Sequence, residues 1–214
     1  LAEIKKINLL AIIAMTIVSF ASLFDMNIAG ISVIIGVVFF IIHETSNKEN
    51  SDNSGLSTKI NNVNLNKTNI WILILLPILM NIVCIVGAKF VLPEYIDHLY
   101  GRTEGMLSLD KIVLLILQLA FLAFGEEIAW RGFYQKQLNI ALPIAPAIII
   151  TSLIFSIAHM SMGSTLVVAY DLVFIFINSV LYGVIFYKTN NVWISAFAHF
   201  IANVFAILVI PYLL

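Results

Sequence analysis

The sequence predicts an all-α protein, a polytopic transmembrane helix bundle of about seven spans with six and eight as the bounds. Three observations carry this reading. Hydrophobic residues make up 61% of the 214 residues and charged residues only 11%, against about 25% charged in soluble domains. Apolar runs near the ~20 residues that a membrane helix needs recur along the chain, and the mean hydropathy is +1.04. Polar stretches rich in Asn, Ser, Lys and Asp separate those runs. The net charge of −1 and the lack of a basic stripe exclude nucleic acid as a partner and leave membrane lipids as the implied surroundings. The single cysteine, Cys84, lies in an apolar run and reads as a small core residue.

Taken in order, the first span is expected over Ile7–Phe24 and the second over Ile28–Ile42, joined by the polar hinge Asp25-Met26-Asn27. The first run is too long for a signal-peptide core and has no small-residue cleavage site after it. Residues 1–42 therefore read as an N-terminal transmembrane hairpin, and 43–69 as a polar, flexible loop rich in Asn, Ser and Lys. Residues 70–214 form the functional core. Its first span is Ile70–Leu92, stopped by Pro93, and a second polar loop is expected from Glu94 to Asp110. The fourth span begins at Lys111, and its amphipathic end, Arg131 to Asn139, is expected to leave the core for the interface. Pro143 and Pro146 open a fifth span, Ala145–His159. Met160–Ser164 is a turn, and the last spans are Leu166–Tyr187 and Val192–Tyr212. In span six, Asp171 reads as a cap or a snorkelling residue near the helix end, and Asn178 as a hydrogen-bonding contact between helices. With seven spans, Lys5, Lys6, Lys48, Lys59, Lys67, Arg131, Lys136 and Lys188 fall on one side, which the positive-inside rule assigns to the cytoplasm.

Span four carries the feature that composition does not explain. Within Phe124-Gly125-Glu126-Glu127-Ile128-Ala129-Trp130-Arg131-Gly132 there are two carboxylates and an arginine. Each charge at a helix centre costs about 2.5–3.5 kcal/mol on insertion scales. Glu127 and Arg131 are four apart and share a helix face, so they can pair. Glu126 is five from Arg131, about 140° round the helix, and points elsewhere.

Two histidines in other spans give Glu126 something to face. Phe155-Ser156-Ile157-Ala158-His159 ends span five, and His199 and Asn203 stand one turn apart in span seven. Depths from the helix ends, at 1.5 Å per residue, are roughly 10 Å for His199, 14–16 Å for Glu126 and 21 Å for His159. Tilts of about 20° cover much of that spread and place a shared site in the cytoplasmic half. A carboxylate in an apolar pocket suits a general base. It can take a proton from a water that attacks a peptide carbonyl, while a histidine protonates the leaving amine. Asn203 can fix the orientation of His199 or, like the second histidine, stabilise the oxyanion. Two His and one Glu (Glu126, His159 and His199) would also make a catalytic set for a divalent metal such as zinc, although the HExxH helix that usually builds one is missing. A proton-coupled transporter would use the same groups, but the paired repeats of such folds are not seen.

The ordered set Glu126-Glu127-x-x-x-Arg131, Phe155-x-x-x-His159 and His199-x-x-x-Asn203 resembles the CAAX protease and bacteriocin-processing (CPBP, or Abi) family of intramembrane endopeptidases. The flanks Trp130-Arg131-Gly132-Phe133 and Asn191-Val192-Trp193-Ile194-Ser195-Ala196 agree, and the likeness spans roughly Lys111 to Ala206. The resemblance implies a glutamate-dependent protease whose catalytic core comes from the last four or five helices. Glu126 would activate water, with His159 and His199 beside it and Asn203 as oxyanion partner. Glu127 and Arg131 match the family motif too, and the helix geometry above gives them a structural or supporting role, while Phe155 reads as core packing that shapes the pocket. The resemblance implies no metal cofactor, a peptide, lipidated precursor or membrane protein as substrate, and a multi-pass protein of a cell membrane, bacterial by its Asn-, Ile- and Lys-rich composition. A non-catalytic immunity or scaffold protein of the same family is the alternative.

Overall fold

The structure, a computed structural model, describes residues 4–24, 26, 28, 30–46, 68–104 and 112–209. Among these residues every element is helical: α1 (Lys6–Phe20, extended by a 3-10 turn to Phe24), α2 (Gly30–Ser46), α3 (Thr68–Val91), α4 (Glu94–Glu104) and α5 (Ile112–Glu127). A π-helical segment, Ile128–Gln135, follows α5 without a break, and then come α6 (Lys136–Ala141), α7 (Ile144–Ala158), α8 (Thr165–Thr189) and α9 (Val192–Val209). Among the described residues, four stretches are long and apolar enough to cross a membrane: Lys6–Phe24, Ile70–Val91, Ile112–Ala141 and Thr165–Thr189. Three shorter apolar helices, Gly30–Ser46, Ile144–Ala158 and Val192–Leu208, complete the seven segments that hydropathy marks.

The bundle has the polarity of a protein dissolved in lipid. Phe121, Phe90 and Val91 are about four-fifths exposed on its outside. Glu127, Arg131, Gln135, Gln137 and Asp171 are buried within it. With no water to satisfy polar groups in hydrocarbon, hydroxyls must turn back onto the backbone. Thr16, Ser19 and Thr151 do so, each donating to the carbonyl four residues earlier at 2.8 Å.

The long helix made by α5 and its π continuation is the axis of the fold. Its α5 part packs on α9, and the π part is enclosed by α2, α7 and α8. All seven residues Ala129–Gln135 are buried. One side of an ordinary helix could not bury seven consecutive residues; this segment has neighbours on every side. Helix α1 covers α2 and α7, while α3 covers α8 and α9. The main apolar core lies where these elements meet, around Met15, Phe40, Trp130, Phe133 and Phe155.

Three expectations change here. The segment Arg131 to Asn139 does not leave the core: Tyr134 bonds Thr16 at 2.7 Å, and Asn8 donates to Gln137 at 3.0 Å. Its polar side chains are spent on neighbouring helices, which a scan for amphipathicity reads as an interfacial face. Glu94 to Glu104 is helix α4, not loop. Tyr95, Ile96 and Leu99 fall on one face and pack on α3 and α8, and Glu94 and Asp97 favour the first turn. Finally α2 continues to Ser46, four residues into the stretch expected as loop, because His43 bonds Asn8 at 3.0 Å and Gln137 at 3.3 Å. Residues 47–67, the rest of that stretch but for its last two positions, lie outside the described residues.

Gly36 sets the distance between α2 and the π segment. A Cβ there would lie 2.5 Å from the Cβ of Ala129 and 2.8 Å from its Cα. The second of these atoms is backbone and cannot turn aside, so a side chain must push the helices apart. Gly36→Val is expected to lower stability by about 1–3 kcal/mol in detergent-solubilised protein, read as unfolding midpoint. Gly101→Ala, where nothing stands within 4 Å, is expected to be neutral or slightly stabilising.

Candidate active site

Glu126 and Glu127 sit at the junction where α5 passes into the π segment, a type of irregularity often found at functional sites. Glu127 turns inward. Its Oε1 lies 2.9 Å from Nη1 of Arg131, and both side chains are shut off from solvent. Arg131 reaches α8, where Nη2 donates to the carbonyl of Ser179 at 3.0 Å and to its hydroxyl at 2.8 Å. Its guanidinium rests over the rings of Phe155, at 4.8 Å, and Tyr182, at 5.4 Å. The second oxygen of Glu127 accepts from the hydroxyl of Ser195 on α9, which also has the carbonyl of Tyr182 within reach at 3.1 Å.

Glu126, one residue earlier, faces two histidines. Its Oε1 is 3.8 Å from Nε2 of His159, at the C-terminal cap of α7, and its Oε2 is 3.7 Å from Nε2 of His199 on α9. The far nitrogen of each ring is already engaged. Nδ1 of His159 donates to the carbonyl of Phe155 at 2.8 Å, and Nδ1 of His199 donates to Glu127 at 3.1 Å. A carbonyl and a carboxylate both demand a donor, so in the neutral rings each Nε2 is left as an acceptor. The rings are held from the side as well. Tyr182 stacks on His199 with centroids 4.5 Å apart, and Phe155 lies 4.3 Å from His159.

These groups line a cavity of about 260 Å³ that also takes in Asn203, Asn178 and Asn81. Asn203 lies in the same cavity as His199, but it is Glu127 that holds Nδ1 of that ring, so the orientation expected from Asn203 comes from another helix. Asn178 donates to Asn81 at 2.8 Å, tying α8 to α3, and Asn81 donates onward to the carbonyl of Ala202. Asp171 neither caps nor snorkels. It is buried and accepts from Tyr95 of α4 at 3.1 Å, because α4 covers the helix end where solvent was expected. The lining extends to Tyr95 and Leu99 of α4. That is the end of α8 opposite Lys188, so these residues describe space running away from the lysine-bearing end.

Residues 108–205 match the family model described as type II CAAX prenyl endopeptidase Rce1-like. Those residues, a little under half of the chain, are similar to that family. Searches of curated proteins and of solved structures returned no match. The Rce1-like core thus takes in α5, the π segment, α6, α7, α8 and most of α9, and every residue of the Glu126 centre lies within it. It is the core of a peptide hydrolase family.

Three contacts of the Rce1-like core escape a reading by motif. Ser195 stands one turn before His199 on the same face of α9, a spacing visible in the sequence. Ser179 and Tyr182 share a face of α8, where nothing but their distance in sequence links them to Arg131. Among the described residues, no group of three or more His, Cys, Asp or Glu side chains is arranged to hold a metal ion.

The Glu127–Arg131 pair yields a prediction about stability. Removing one member of a buried pair strands the other, at about 3–5 kcal/mol. Arg131→Met is therefore expected to unfold well below the parent in detergent melts. Adding Glu127→Gln, which keeps an acceptor for Ser195 and removes the stranded charge, is expected to recover part of the loss. A double variant less stable than Arg131→Met would contradict the pairing.

Proposed function

We propose that the Rce1-like core hydrolyses peptide bonds in a peptide or lipidated precursor by a glutamate-activated water, in a cell membrane, bacterial by composition. The observation that carries this reading is the disposition of Glu126. It is the one carboxylate of the pair not tied to Arg131, and two imidazole Nε2 atoms face it across 3.7 and 3.8 Å. A water placed among them donates to Glu126 and to one Nε2, which leaves its oxygen lone pair for a carbonyl carbon.

As the water oxygen bonds to that carbon, Glu126 takes one proton and the carbonyl π electrons move to oxygen. The oxyanion is met by the side-chain N–H of Asn203. An imidazolium at His199 would add to this, and Glu127 on its far nitrogen stabilises such a charge. The C–N bond then breaks, and the proton held by Glu126 passes through Nε2 of His159 to the amine nitrogen. The products are a carboxylic acid and an amine, so one water is consumed for each bond cut. Phe155 and Tyr182 hold the rings in place and take no part in proton transfer.

The test uses the full chain in detergent with a pool of quenched-fluorescent peptides, read by mass spectrometry. Glu126→Gln and His199→Ala are expected to lose about 10²–10⁴-fold in kcat, with circular dichroism and melting unchanged for Glu126→Gln. Cleavage at parental rates by both variants would overturn the proposal. Activity is expected to survive exhaustive chelation; loss on chelation with recovery on adding zinc would replace the glutamate–water mechanism with a metal one.

A further inference from the structure

The cavity has a second acidic end that the hydrolysis above does not use. Asp171 lines it from α8, and the same face of α8 carries Phe174, Ile175, Asn178 and Tyr182. Read along the helix, that face runs from a carboxylate, past two apolar residues and an amide, to the ring stacked on His199. Asp171 to Tyr182 is eleven residues, roughly 16 Å at the helical rise. An extended peptide advances about 3.3 Å per residue, so that span matches about five residues, or about three where a long side chain covers the last ~6 Å.

Asp171 is held by α4. It accepts from Tyr95 at 3.1 Å and faces Nε2 of His98 at 3.7 Å, while His98 also meets Ser161. Those contacts fix where the carboxylate stands. Among the described residues that line the cavity there is no Lys or Arg, whereas Glu126 and Asp171 stand at its two ends. A low-dielectric cavity with acidic ends raises the local concentration of cations and disfavours anions. Between the ends, Leu119, Phe174 and Ile207 offer apolar contact.

We propose that Asp171 is a specificity-determining residue that receives a basic group of the substrate, a Lys or Arg side chain or a terminal ammonium, about three to five residues from the scissile bond and separated from it by apolar residues. This assignment rests on the peptidase reading for its register, since the distance is counted from Tyr182, whose ring stacks on His199 of the Glu126 centre. The competing role for Asp171 is to anchor α4 through Tyr95 and His98. Asp171→Asn separates the two, because the amide oxygen still accepts from Tyr95 while the charge is gone.

The experiment takes full-length protein in detergent and a set of quenched-fluorescent decapeptides with an apolar centre, in which one Lys or one Gln is moved along the sequence. The same peptides are titrated into the Glu126→Gln protein by fluorescence anisotropy. One Lys register is expected to exceed its Gln counterpart about tenfold or more in kcat/KM and in affinity, the scale of a charge-assisted contact. Asp171→Asn is expected to abolish that difference by bringing the Lys peptide down to its Gln counterpart. Equal values for Lys and Gln at every register, or a Lys advantage that survives Asp171→Asn, overturn the inference and leave the peptidase reading intact. An Asp171→Asn loss that is equal for Lys and Gln peptides assigns the residue to anchoring α4 and also overturns it. Lys-dependent binding that Asp171→Asn removes, with no peptide cut by the parent, upholds the acidic subsite and overturns the peptidase reading. Absence of both cleavage and binding overturns both.

Discussion

The ion pair between Glu127 and Arg131 is the contact on which the positions of the other site residues depend. Both partners are fully buried, and a buried pair of this kind gains little in net stability. What it supplies is geometry. Arg131 is clamped to Ser179 of α8, and Glu127 to Ser195 and His199 of α9. Three helices are thereby registered to one another by hydrogen bonds, where apolar packing would allow them to slide. Because these groups find their matches in one another and not in water, each contact helps to fix the next. His199 is the last member, and its ring presents Nε2 to the cavity because Nδ1 has been taken from behind.

The adjacent glutamates divide the work by direction. Helix geometry separates neighbouring side chains by about 100°, enough to put one carboxylate inside the polar network and the other at the cavity wall. Glu127 is sealed, whereas the side chain of Glu126 keeps about 18% of its surface exposed. The π segment begins immediately afterwards and carries Trp130, Arg131 and Phe133 into the middle of the bundle. Trp130 meets Phe155 edge-on at 5.7 Å, and Phe155 in turn supports His159 by ring contact and by its carbonyl. The Glu126 centre thus rests on two supports, one polar through Glu127 and one aromatic through Phe155.

Much of this was legible in the sequence, for a physical reason. Apolar runs specify membrane helices by length and composition alone, and intervals of four residues put Glu127 with Arg131 and His199 with Asn203 on shared faces. Charges in such runs are costly enough to single themselves out. Contacts between helices were less legible. That Ser179 meets Arg131, or that Glu127 and not Asn203 holds His199, depends on how helices rotate about their own axes, which no interval reveals. Helix α4 was hidden by its polar composition, since Tyr95, Ile96 and Leu99 are too few to raise its mean hydropathy. Asp171 was misplaced for the same reason: without α4 above it, its position near a helix start looks solvated. The π segment left no periodic trace, because a segment enclosed on all sides needs no polar face.

The placement of α4 joins the two halves of the cavity. Helix α7 is short and ends at His159, on the side of the bundle that α4 covers. A longer α7 would carry His159 past Glu126 and fill the space that now runs toward Tyr95. The shortness of α7 therefore does two things at once: it brings a histidine to the level of a carboxylate in the middle of a long helix, and it leaves room beyond that histidine. The turn that follows is tucked against α4, where Ser161 meets His98 and a Cβ on Gly163 would stand 3.0 Å from that ring. Gly163 is thus needed for the turn to pass beneath α4, and the residues that close the far end of the cavity are the same ones that fix the end of α7. Position of the Glu126 centre and shape of the space beside it are consequently set by one local arrangement, and a change in either is carried to the other through His159.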